Sequence, residues 1–137
     1  MMSKYGIAAV EAARLCVSGW AVSPREAWDW AAAQVFDTGT AAQRKSSPRS
    51  AFLGLCAAGL VEGVPPGRHT RSLKNRGYAV AAVRILREHP VLANQPNDLW
   101  RAVLAGRRLA HNGQMDVVAA LWHHNLLRPA GEEAAQR

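Results

Sequence analysis

Cysteine is scarce: Cys16 and Cys56 are the only two among 137 residues, forty positions apart, each within an apolar helical pattern. That excludes a disulfide framework and every CxxC-type zinc site. Both are expected to be buried thiols in a reducing cytoplasm, since free cysteine is among the most buried residue types. Long apolar runs are missing too. None approaches the roughly 18 residues that a membrane span needs, and Glu11 and Arg14 interrupt the apolar stretch after Lys4, so a secretory signal core is not expected there. No HxxxH or HExxH spacing occurs, and His123 and His124 are adjacent and point different ways on a helix, so no metal or cofactor is expected. GxSxG and GxGxxG are absent. GVPPGRHT lacks both the spacing and the lysine of a phosphate-binding P-loop, and its prolines remove amides that would cradle phosphate. No run alternates with strand period outside the apolar helical patterns. Aromatics are few, and five of the nine are tryptophan.

What is there is alanine and helical periodicity. Hydrophobic residues make up 49% and charged residues 20%, a globular balance. One helix is expected over 5–18 with Ser3 as a possible cap, its stripe built from Ile7, Val10 and Val17 beside Ala9, Ala13 and Cys16. Ser23-Pro24-Arg25-Glu26 then combines a cap serine, a proline at the first helical position and a glutamate reaching back to the serine amide. The helix it opens carries Trp28, Ala31, Ala32 and Val35 on one face. Residues 40–50 form a polar, basic connector. Ser47-Pro48 repeats the cap-then-proline signal ahead of AFLGLCAAG, where Gly59 takes a left-handed cap and Leu60 folds back on Leu55. Residues 61–72 form a loop around Pro65-Pro66-Gly67. A long helix from about 72 to 89 stops at Pro90; a turn follows, then a short helix opened by Pro96. The last helix is expected to be capped by Asn112 and to end at Asn125, with Leu126 meeting Leu121. The fold class is all-α: a compact bundle of five to six helices with short loops, one domain over 1–128 and a disordered polar tail over 129–137.

The charge distribution carries the functional signal. Residues 1–43 hold three basic and four acidic groups, 44–108 hold twelve against three, and 109–137 hold two against three, so the net +7 is a basic middle in a near-neutral frame. Such asymmetry attracts nucleic acid, an anionic surface or an acidic protein. The candidate contacts are Arg44, Lys45, Arg49, Arg68, Arg71, Lys74, Arg76, Arg107 and Arg108. Basic side chains suffice for phosphate contact without base reading. The bland alternative is a solvated basic face that keeps the protein in solution.

Segment 48–71 resembles the end of a winged-helix domain, an apolar helix followed by Gly-Leu-Val and a basic loop. A long helix follows where wing strands belong, and the helix in the recognition position offers only Arg49 and Ser50 to bases, so base-specific reading is not expected. Along MSKYGIAAVEAARL, PRSAFLGLCAAGLVEGVPPG and HNGQMDVVAALW the chain resembles a family of small uncharacterised bacterial proteins. That resemblance spans residues 2–127 and implies a bacterial, free-standing domain, with no activity or site to transfer.

Three functions compete. The first is a non-enzymatic binding protein whose basic middle, 44–108, engages an acidic partner, nucleic acid before others. The second is a protein–protein adaptor using exposed Trp20, Trp30 or Trp100. The third is an enzyme using His111 and Asp116, which requires a pocket beside them. For the third, helix capping by Asn112 and dipole complementation by Asp116 account for the same residues.

Overall fold

Residues 51–58, AFLGLCAA, are apolar at every position, so no face of this helix can turn to water at low cost. In the computed structural model, which describes residues 2–129, all eight are buried. The helix that contains the first seven and is capped by the eighth, α3 (Ser46–Ala57), lies at the centre. Around it stand α2 (Pro24–Val35), α4 (Leu73–Glu88) and α6 (Gln114–His123). The outer shell is completed by α1 (Lys4–Val17), which forms a hairpin with α2 and packs on α6, and by α5 (Pro96–Leu104), which packs on α4. A single 3-10 turn, Pro90–Asn94, links α4 to α5. The described residues thus form an all-α bundle of six α-helices with no strand beyond one isolated bridge.

Small residues let these helices approach. Ala8, Ala9, Ala12 and Ala13 of α1 and Ala27, Ala31 and Ala32 of α2 are all buried. At Gly54 the approach is closest: a Cβ there would stand 2.6 Å from the Cα of Arg76, so α3 and α4 touch backbone to backbone. Phe52, Leu53 and Leu55 fill the space on either side, each contributing about 1.5–3 kcal/mol by leaving water.

The starts and stops follow local chemistry, with three departures. Ser3, Ser23 and Ser72 cap α1, α2 and α4 as their hydroxyls accept the amides of Gly6, Glu26 and Asn75. Glu26, however, receives the amide of Val22 at 3.4 Å rather than that of Ser23. Ser47 does not cap α3; the helix begins a residue earlier, with Lys45 flanking it and no side-chain cap. Pro48 is tolerated inside that first turn because the amides there lack helical partners anyway. Asn112 does not cap α6 either: Gly113 occupies that position in the left-handed region, and the imidazole of His111 supplies the bond. The two C-terminal stops fall at Gly59 (φ +75°) and Asn125 (φ +56°). Leu60 and Leu126 then return their amides to the carbonyls of Leu55 and Leu121, both at 3.0 Å. Of the two thiols, Cys56 is buried, whereas Cys16 is only half-buried on the flank of α1. The tail expectation over 130–137 lies outside the described residues.

The Gly54 contact makes a contrast that can be measured. Gly54→Ala should overpack α3 against α4 and lower the unfolding free energy by about 2 kcal/mol. Gly77→Ala, on the open face of α4 with nothing within 4 Å, should raise it by about 0.5–1 kcal/mol. Urea unfolding of both variants checks this; equal midpoints would contradict the close approach.

Candidate functional site

The basic loop is placed by the two matching helix ends. Beyond Gly59 and Asn125 the chain segments run antiparallel. The amide of Glu62 donates to Leu126 O and that of Arg128 to Leu60 O, both at 2.8 Å, around a bridge between Val61 and Leu127. Val61 is fully buried, so the loop leaves from a fixed point. The Arg128 guanidinium donates to Val64 O at 3.2 Å, and Arg25 Nε of α2 donates to His69 O at 2.8 Å. Thr70 Oγ1 accepts the Ser72 amide at 3.1 Å, leading into the cap of α4. Between these anchors Arg68 and Arg71 stand exposed, as does Lys74 in the first turn of α4, and among the described residues none of the three forms an ion pair.

The other expected cations are distributed unequally. Arg44 and Arg108 are exposed. Arg49 is held by Asp29 through two hydrogen bonds, of 2.9 and 3.2 Å, and its charge is largely neutralised. Arg76 is half-buried where α4 meets Gly54. Arg107 lies 5.7 Å from the centroid of the Tyr78 ring and donates to Leu104 O at 2.9 Å. Lys45 lies 5.8 Å from the Tyr5 ring centroid, and its charge reaches His111. Arg107 thus lies beside the first two turns of α4, whereas Lys45 stands over Tyr5, next to the α6 start. Lys74 precedes Tyr78 by one turn, and Tyr78 meets Trp100, which meets His111. Gln114 Nε2 donates to Asn75 Oδ1 at 3.3 Å, so α4 and α6 start side by side and their positive dipole ends add to the cationic field. Arg25 was not foreseen as part of this group. Nothing in its capping-box context signals a bond to a carbonyl forty-four residues on.

His111 and Asp116 do not form a catalytic pair. His111 Nε2 accepts the Met115 amide at 3.0 Å, so its lone pair is committed to the helix start and Nδ1 carries the proton. Burial pushes this imidazole below its ordinary pKa; Asp116 opposes the shift and Lys45 adds to it. Asn112 directs its own amide to Gln114 Oε1 at 2.7 Å. A cavity of about 270 Å³ lies between α6 and the 3-10 turn. It is lined by Asp116 and His123, but His111 is not on its wall. Burial raises the Tyr5 hydroxyl pKa and the nearby Asp116 carboxylate adds to it. Burial likewise raises both thiols, Cys56 strongly, so neither is an activated nucleophile. Among the described residues no three His, Cys, Asp or Glu side chains gather as metal ligands, and no helix is long and apolar enough to cross a membrane.

The tryptophans divide sharply. Trp100 is 4% exposed, its Nε1 donating to Leu109 O at 2.9 Å, and it is not available as an interaction ring. Its neighbours Arg101 and Arg107-Arg108 suggested exposure, but Tyr78 and His111 enclose it. Trp28 is core and Trp122 half-buried. Trp20 and Trp30 remain 52% and 39% exposed, their ring centroids 5.0 Å apart.

Fold and site together define a small all-α protein with a fixed basic loop and an exposed tryptophan pair. The chain belongs to a family of unknown function, DUF6979, whose model matches residues 2–128. No curated protein and no solved structure matches it.

The His111 cap carries a pH dependence. The folded pKa lies below the unfolded one, so the unfolded chain binds the proton more readily. The cap's contribution is complete above pH ~6.5 and is lost as the pH falls from there through the lower folded value. His111→Ala should cost about 1 kcal/mol at pH 8, and the gap to the parent should narrow as the pH falls below ~6.5. Urea unfolding across that range measures it; a gap that stays constant would contradict the cap.

Proposed function

We propose that this chain is a non-enzymatic binding protein whose basic middle, 44–108, engages the phosphate backbone of nucleic acid, chiefly through loop 68–74. One observation carries the reading: Arg68 and Arg71, on a loop already anchored at both ends, and Lys74, in the first turn of the helix that follows it, face solvent without acidic partners. Anchoring matters because a loop held in place loses little further entropy when a ligand docks. Phosphate contact needs only such cations, and Arg107 over Tyr78 adds a further charge near the start of α4. On this reading the protein is bacterial and works in a reducing cytoplasm, where Cys16 and Cys56 stay thiols.

A second reading, a protein–protein adaptor, is favoured by the exposed Trp20–Trp30 pair with Val22 beside it in sequence, 90% exposed. An acidic protein would then replace nucleic acid as partner.

Fluorescence anisotropy with a labelled random duplex tests the first reading. Binding should be micromolar at low salt, with log K falling against log salt at a slope of about −3 for the three phosphate contacts of Arg68, Arg71 and Lys74. Arg71→Glu with Lys74→Glu should weaken it at least about tenfold. Arg49→Ala should change it less than about twofold, because Asp29 already holds that charge. Absence of binding at low salt would overturn the proposal.

A further inference from the structure

Trp20 and Trp30 serve no core. Trp20 follows α1, Trp30 stands on the outer face of α2, and the two rings lean together at 57° with about half of each open to water. Exposed tryptophan pairs are costly to keep, and their π-faces invite a flat ligand.

The basic loop reaches the turn that carries one ring of this pair. Residues 18–23, the turn between α1 and α2, carry Trp20, and the loop brackets that turn at two points. At one, a Cβ on Gly63 would stand 2.9 Å from a methyl group of Val17, at the end of α1. At the other, Arg25 at the start of α2 grips His69 O. Arg68 and Arg71 flank His69 and are exposed, and Arg14 is exposed one turn before the end of α1. Against these cations stand Glu62 beside Gly63, and Glu26, whose carboxylate already accepts the Val22 amide. Asp29, next to Trp30, is neutralised by Arg49. Four exposed cations, Arg14, Arg25, Arg68 and Arg71, thus stand on the segments that flank or touch the turn carrying Trp20, against Glu26 and Glu62.

We infer that Trp20 and Trp30 form a stacking platform for unpaired nucleobases beside the phosphate-binding loop, so that the preferred ligand is single-stranded nucleic acid. This rests on the phosphate-binding reading of loop 68–74. Rings offer a face to any base, whatever its identity, while the cations hold the backbone that connects successive bases. Bases paired in a duplex keep their faces stacked on one another and cannot use the platform.

The test compares three labelled ligands of equal phosphate number by anisotropy: a single-stranded oligothymidine, an abasic strand and a duplex. The parent protein should bind oligothymidine about tenfold more tightly than the abasic strand. Trp20→Ala with Trp30→Ala should remove that preference and leave duplex and abasic binding within about twofold; both positions are exposed, and circular dichroism checks the fold. Should the variant unfold, the parent's ratio of oligothymidine to abasic affinity still decides. Equal binding of all three ligands by parent and variant would overturn the platform while leaving phosphate contact by the loop intact. Loss of all binding even at low salt would overturn both. Failure to bind any strand, with capture of an acidic polypeptide that depends on Trp20 and Trp30, would transfer the platform to a protein partner and likewise overturn the inference.

Discussion

The enclosure of α3 is the constraint from which the remainder follows. A helix apolar all round must be covered all round, and 51–58 leaves no position for water. Covering it requires neighbours that come close, which is why alanine lines α1 and α2 and why Gly54 meets the backbone of α4. The end of such a helix is also buried, and its last carbonyls need partners within the protein. The left-handed turn at Gly59 supplies them, and the pairing of 60–62 with 126–128 satisfies the chain that emerges.

That exit determines where the charge goes. Because Val61 is pinned in the core, the loop after it starts at a fixed place, and Arg25 and Arg128 hold it along its length. Functional residues on a loop are precise only when the scaffold holds the loop, and here the core helix does so through its own C-terminus. The same geometry carries the loop against both ends of the α1–α2 turn, the turn on which Trp20 stands.

Much of the architecture was legible in the sequence because helix ends are local events. Ser23-Pro24, Gly59-Leu60 and Asn125-Leu126 act within a few residues, and each behaves as its chemistry demands. The α6 start was misread for a physical reason: Asn112 is a good cap by type, but Gly113 takes the turn and His111, one residue earlier, reaches the amide instead. Where reading failed, the deciding contact was distant in sequence. Trp100 looked exposed beside its arginines until Tyr78 and His111 closed over it. Arg49 looked free until Asp29 met it, and Arg25 looked like part of a cap until it reached His69. The two left-handed helix endings, at Gly59 and Asn125, also create two matching edges that pair, which no local signal shows.

The central claim is that loop 68–74 and the Trp20–Trp30 pair form one continuous binding surface. Titration of the 15N-labelled protein with a short unlabelled oligothymidine, followed by amide and indole resonances, addresses it most directly. The account predicts saturable shifts at the amides of 67–74 and at two indole N–H signals, those of Trp20 and Trp30. The buried indoles of Trp28 and Trp100 should stay still. Shifts centred instead on the cavity beside Asp116 and His123, or loop shifts without any movement of the Trp20 and Trp30 indoles, would contradict it.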